Sequence, residues 1–335
     1  MQMLKIGKLS NEMLKNIVLD KLHTKRTEVV LKPDIGEDCC AIDFGENLCI
    51  LSSDPVTGTD KQIGAIAVHI CCNDIASSGA EPIGLMVTLL IPAFVTESQI
   101  QEVISQISDT ADDLNIDIVG GHTEVTDAVN RIVISGTGIG KVSGKKLIAS
   151  SGAREGDILI MTKTAGIEGT AILANDFETS LIRVFGIEMV EKAKGYIRNI
   201  SVVKEGTLSA SYEVDAMHDA TEGGILGAAW EIAEASGLGV DIYADKIPVS
   251  METEKICGYF NISPLRLISS GSMLIACNND VADQLLILLK GNKIDACVIG
   301  RFNNTKNRIL ITGMSFETIN SPGPDELYNL EVNNE

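Results

Sequence analysis

Proline is scarce in this chain, 8 in 335 residues, and so are the motifs that usually announce a chemistry. No C-x-x-C occurs among the 8 cysteines, and no Cys/His set has zinc-site spacing. There is no G-x-x-x-x-G-K-[ST], and the run Gly136-Thr137-Gly138-Ile139-Gly140 falls inside a predicted strand instead of opening a helix. These absences argue against a P-loop and a Rossmann dinucleotide site. The longest apolar stretch, Ile83 to Val95, is about 13 residues, broken by Gly84, Thr88 and Pro92, and too short to span a bilayer. Met1 to Ser10 lacks the apolar core of a signal peptide. The expected location is therefore the cytoplasm. The cysteines, adjacent pairs Cys39-Cys40 and Cys71-Cys72 included, read as small buried hydrophobes of a reduced compartment. Basic residues are outnumbered too: 27 Lys and Arg against 46 Asp and Glu give a net charge of −19. Such a chain repels nucleic acid and anionic membrane. If it holds a polyphosphate, divalent cations must bridge acid to acid.

What is present is apolar residue (45%) and glycine (31), enough for two α/β domains with many tight strand-to-helix turns. Residues 1–30 carry a helical pattern (Met13, Leu14, Ile17, Val18, Leu22) and read as an arm. From there strands (Leu48–Ser53, Ile83–Ile91, Ile116–Val119, Arg131–Ile139) alternate with helices (Lys61–Ser78, and one capped by Thr96 with Gln99), predicting a mixed sheet covered by helices over 31–148. The polar segment Ser143–Gly156 is the expected domain boundary. The second domain, 149–335, is predicted α/β, with strands at Asp157–Thr162, Val240–Tyr243, Ser272–Cys277 and Ala296–Gly300, a helix at Ile225–Ala235, and a polar tail from Asn303.

Five segments are candidates for chemistry. In Lys32-Pro33-Asp34-Ile35-Gly36-Glu37-Asp38, two acids beside a glycine turn suit a hard cation; the alternative is a solvated acidic turn, with Lys32 either a phosphate contact or a surface lysine. Asp54 closes the run after Leu48–Ser53, at a strand end where α/β sheets place ligands, or is an ordinary turn residue. Asn73-Asp74 interrupts the apolar helix Ile63–Ala76. An unpaired carboxylate buried there is costly, so Asp74 needs a cation, donors or a proton. His69 shares that face and reads more simply as structural. Gly120-Gly121-His122-Thr123-Glu124 brings backbone and polar groups together after a strand, or is a hairpin turn. Met217-His218-Asp219-Ala220-Thr221-Glu222-Gly223-Gly224 leads into a helix whose free N–H groups suit phosphate.

In this order, Gly36-Glu37-Asp38, Ser53-Asp54, Asn73-Asp74-Ile75-Ala76-Ser77-Ser78-Gly79-Ala80-Glu81-Pro82, Gly120-Gly121-His122-Thr123 and Asp219–Gly224 resemble the aminoimidazole ribonucleotide (AIR) synthase superfamily. That group includes the hydrogenase maturation protein HypE, thiamine-monophosphate kinase and selenophosphate synthetase. The resemblance runs from about residue 30 to 300, and Ser151–Asp157 looks most like the HypE branch. It implies two α/β domains, a homodimer whose N-terminal sheets pair into a barrel, and ATP with Mg²⁺ in a nearby cleft. By position it implies that Glu37, Asp38, Asp54 and Asp74 hold metal. Lys32, Asp74, Gly120, Gly121, Thr123, Asp219, Thr221, Gly223 and Gly224 would contact the nucleotide. The expected activity is phosphorylation, or activation by phosphorylation, of a small substrate. Departures from the family pattern bear on this. His122 stands where the HypE and kinase branches usually have Asp, and Ser270 where HypE commonly has Glu. The sequence has no Cys after Cys297, so the dehydration of a terminal cysteine carried by HypE is not expected; the N-terminal Cys or selenocysteine loop of selenophosphate synthetase is also missing. The alternatives are a nucleotide-binding regulator without turnover and thiamine-monophosphate kinase.

Overall fold

The computed structural model describes residues 8–57, 61–143 and 146–330. Gly144 and Lys145 of the expected boundary segment, and Glu331–Glu335, lie outside the described residues. The first half builds a six-stranded sheet from β1 (Val29–Leu31), β2 (Cys40–Asp43), β3 (Asn47–Val56), β4 (Glu81–Ile91), β5 (Asp117–Val125) and β6 (Val133–Ser143). The strand order is β1-β2-β3-β6-β4-β5, and the pairing is antiparallel except between β4 and β5. Among the described residues this sheet is open and not a closed barrel. Helix α1 (Asn11–Met13) begins a short irregular helical run to Lys21 where a regular amphipathic helix was expected.

Helices α2 (Ile63–Ser77) and α3 (Glu97–Leu114) cover one face of the sheet. The α3 start is the predicted capping box: Thr96 Oγ1 accepts from Gln99 N, and Gln99 Oε1 accepts from Thr96 N. The helix α2 is buried almost all round, which explains why its apolar residues show so little periodicity. The glycines of β6 make this possible. A Cβ on Gly136 would lie 2.5 Å from Cys71 Sγ and one on Gly138 2.7 Å from the Cys71 carbonyl. The G-x-G-x-G run is thus a seat for α2.

The second half carries a seven-stranded sheet: β7 (Ile158–Thr162), β8 (Val214–Asp219), β9 (Gly239–Tyr243), β10 (Met273–Cys277), β11 (Ala296–Asn303), β12 (Arg308–Thr312) and β13 (Ser315–Thr318), in the order β13-β12-β9-β11-β7-β10-β8. The strands β7 and β10 are buried along their whole length, as their unbroken apolar runs require. Helices α4 (Ile167–Asp176), α5 (Glu178–Phe185), α6 (Ile187–Lys194), α7 (Val203–Ser209), α8 (Gly224–Ala235), α9 (Met251–Phe260) and α10 (Asn279–Gly291) pack around it. The polar tail proved partly structured, because β12 adds in parallel to β9 and β13 folds back on β12.

The two halves interlock through α2. Asn73 Nδ2 donates to the Ile200 carbonyl (2.7 Å), and its Oδ1 accepts from Val202 N (2.8 Å). A Cβ on Gly206 of α7 would collide with the Ala76 carbonyl, so these two helices touch backbone to backbone. Asp74, the next residue along from Asn73, is thereby fixed at the junction of the two sheets.

Candidate active site

A cleft of about 270 Å³ opens at this junction, lined by Asp38, Asp54 and Asp74 from the first half and by Thr221, Glu222 and Ser270 from the second. Each carboxyl arrives from a different segment. Asp38 follows the turn at Gly36, whose φ of +81° is left-handed and whose missing side chain lets the loop rest on the Glu231 carbonyl of α8. Asp54 lies within β3, not at its end as expected, because β3 continues to Val56 against Ile134 of β6. Asp74 comes from α2, and Asp219 closes β8.

The contacts among these groups are short of protons. Ser52 Oγ lies 3.2 Å from Asp54 Oδ2 and makes an even closer hydrogen bond with Asp74 Oδ2. A hydroxyl donates only one hydrogen, so Ser52 can serve only one of the two carboxyls at a time. Burial first, then the neighbouring charges of Asp219 and Asp54, push the Asp74 pKa well above the carboxylate range. Asp219 is raised to about 7, by burial and then by Asp38. Its Oδ1 lies 3.0 Å from Ser77 Oγ, while its buried Oδ2 has no partner among the described residues.

Beneath the cleft, His218 Nδ1 sits 2.5 Å from Asp38 Oδ2 and Nε2 sits 3.1 Å from Glu231 Oε2. Burial opposes charge on the imidazole, but the two carboxylates outweigh it and raise its pKa well above the usual value. An imidazolium between two carboxylates fixes Asp38 from behind. Lys8 is the one cation lining the cleft among the described residues, its Nζ 3.4 Å from Thr221 Oγ1. Burial would lower its pKa, yet Glu231, Glu222, Asp38 and Asp54 together raise it.

The expected residues distribute unevenly. Asp38, Asp54, Asp74, Asp219 and Thr221 converge. Glu37 reaches the cleft wall, but its two oxygens accept from the backbone of Ser150 (3.3 Å) and Ser151 (3.1 Å), which ties down the segment between the domains. Lys32 lies outside, exposed, in a neighbouring depression with Lys15 and Glu234. Gly120, Gly121 and Thr123 are not in a turn: β5 runs straight through them, and Gly121 is needed because a Cβ there would strike the Val87 carbonyl of β4. All nine residues of β5 are exposed and away from this cleft. The N–H groups of the Gly-rich turn are partly used already: Gly223 donates to Asp325 Oδ2 (2.9 Å) and Gly224 to the Thr221 carbonyl (3.0 Å). Sequence reasoning missed Ser52, Lys8, Glu231 and Asp325. A serine two residues before Asp54, and a lone pair of acids in the apolar helix α8, were the available signals; Lys8 and Asp325 gave none.

Residues 36–142 match the family described as AIR synthase related protein, N-terminal domain, and residues 154–312 match its C-terminal domain. The chain belongs to the AIR synthase related family. Within that family it is 29% identical over 316 residues to a putative hydrogenase expression/formation protein of Methanocaldococcus jannaschii, covering 91% of both chains. It is 27% identical to the carbamoyl dehydratase HypE of Cupriavidus necator, over 69% of this chain and 64% of that one. A solved structure of the hydrogenase maturation protein HypE in complex with ATP superposes with a TM-score of 0.69 at 19% identity, covering 96% of this chain and 94% of the other. The two matched ranges take in the two sheets apart from the edge strands β1 and β13, and the cleft lies between them. No helix among the described residues is long and apolar enough to cross a membrane.

Proposed function

We propose that the protein is an ATP-dependent enzyme that phosphorylates, or activates by phosphorylation, a small acceptor. One observation carries this reading: Asp38, Asp54 and Asp74 line one cleft at the junction of the two halves, with Asp219 buried beside them, and among the described residues that cleft offers a single lysine. Carboxylates concentrated in this way are stable only as acids or around cations. Asp38, Asp54 and Asp74 fit a divalent cation of the Mg²⁺ type, which prefers one or two protein carboxylates together with phosphate oxygens. Bound there, Mg²⁺ would neutralise phosphate charge. The chain's own part is to hold Asp38 through His218, to release the proton shared at Ser52, and to set Lys8 and Thr221 at the cleft wall. Glu37, with both oxygens occupied, would orient the loop that carries Asp38 and act as a ligand only after rearrangement.

The relatives are a carbamoyl dehydratase and a hydrogenase expression/formation protein, and we infer ATP-driven activation of the same class here. A homodimer is part of the reading. Strands β4 and β5 expose Ile83, Met86, Ile118, Val119 and Val125, apolar residues of the kind that a second copy covers. That pairing would give Gly120, Gly121 and Thr123 a surface to act on. Calorimetric titration with ADP, with Mg²⁺ and with chelator, tests the site, and ADP release with candidate acceptors, thiamine monophosphate included, tests the reaction. Nucleotide binding without ADP release would favour the regulator.

A further inference from the structure

A second set of carboxylates lies outside the roles given above. Past Pro55, Ile70, Glu222 and Ile268, which line both spaces, the cleft leads into a chamber of about 90 Å³. Glu168 enters it from the first turn of α4, Glu222 from the Gly-rich turn, and Asp325 from the C-terminal tail. Glu168 is 3% exposed and Asp325 1%. Among the described residues, Glu168 Oε2 and Glu222 Oε2 are buried with no hydrogen-bond partner, and no Lys or Arg lines the chamber. Asp325, by contrast, is satisfied: its oxygens accept from Gly223 N (2.9 Å) and Leu327 N (3.0 Å).

Two open carboxylate oxygens facing one small, otherwise largely apolar space need a donor. Charge excludes an anion. A bare metal is a poor match, because Asp325 is already engaged by two backbone N–H groups. An organic cation fits: its N–H groups serve both oxygens, and its carbon stem meets side chains such as Val56 and Leu327. We infer that this chamber receives the cationic end, an ammonium or guanidinium group, of the small acceptor, held between Glu168 and Glu222. The inference rests on the reading of the adjoining cleft as the nucleotide site, since the chamber then lies where an acceptor meets the bound phosphates. Burial lifts Glu168 to about 7 against the opposing Ser270 hydroxyl, so a cationic guest would also restore its charge.

Calorimetric titration of the full chain with methylguanidinium chloride, beside neutral acetamide, tests this. Methylguanidinium should bind saturably and acetamide should not. Glu168→Gln should weaken methylguanidinium at least about tenfold and leave Mg²⁺–ADP affinity unchanged within about threefold. Equal binding of methylguanidinium and acetamide, or equal binding by wild type and Glu168→Gln, overturns the inference. If Glu168→Gln fails to fold by circular dichroism, Glu222→Gln carries the methylguanidinium comparison alone, because Glu222 also lines the nucleotide cleft. Methylguanidinium binding without any Mg²⁺–ADP binding would sink the nucleotide reading and keep the chamber; the opposite pattern would sink the chamber alone.

Discussion

The cleft and strand β5 lie in the same molecule under opposite rules. At the cleft, Asp38, Asp74 and Asp219 are drawn out of water, paired with His218, Ser52 and Ser77, and raised in pKa. Along β5, nine consecutive residues are exposed, apolar ones among them, and the strand is hydrogen-bonded on one side only. The first is a site assembled within one chain. The second is an exposed sheet edge, which the proposed homodimer would cover.

The largest effect on this contrast should come from the joint that builds the cleft. Asn73→Ala strands the Ile200 carbonyl and the Val202 N–H, and should lower stability by about 2–4 kcal/mol in denaturant titration. A loss below about 0.5 kcal/mol would mean that the halves do not depend on α2 for their register. Next, Asp54→Asn should cost at least about tenfold in Mg²⁺–nucleotide affinity, on the order of 1.4 kcal/mol, while Thr123→Ala measured on the monomer should leave that affinity unchanged.

The cleft should also make the free protein sensitive to pH in an unusual direction. Asp219 and Glu168 are raised from ordinary values of 3.8 and 4.5 to about 7. The native state then keeps protons that the unfolded chain has released. Their contribution to stability is complete below the ordinary values and is lost as pH rises through about 7. The melting temperature without ligand should fall between about pH 5 and pH 8, and Mg²⁺ with ADP should recover most of the loss. A melting temperature that rises over this interval would contradict the assigned shifts. On β5, Val119→Lys should convert a dimer to a monomer in sedimentation and change monomer stability by no more than about 0.5 kcal/mol. The smallest effect is expected from Lys32→Ala, which should not alter nucleotide affinity.

The alternation of strands and helices was readable because the periodic segments were long and well capped; α3 with its Thr96–Gln99 box is the clearest instance. The buried Asp74 was readable as well, since a carboxyl inside an apolar helix has to be compensated somewhere. What the residues could not disclose was long-range. That His218 stands behind Asp38, 180 positions away, depends on β8 and the Gly36 loop meeting. That Asp325 reaches back to Gly223 depends on the tail beyond β13. The pair Gly120-Gly121 misled for a related reason: glycine serves a turn or a close approach equally well, and only the contact with Val87 shows which. The glycines of β6 are a third case, a nucleotide-like spacing used to seat a helix.

The central claim is that the converging aspartates form a cation-dependent nucleotide site. Calorimetric titration of ADP into wild type and into Asp54→Asn/Asp74→Asn, with Mg²⁺ and with EDTA, tests it most directly. The account predicts binding by wild type only with Mg²⁺, and none by the double variant in either buffer. Equal binding in EDTA, or undiminished binding by the double variant, would contradict it.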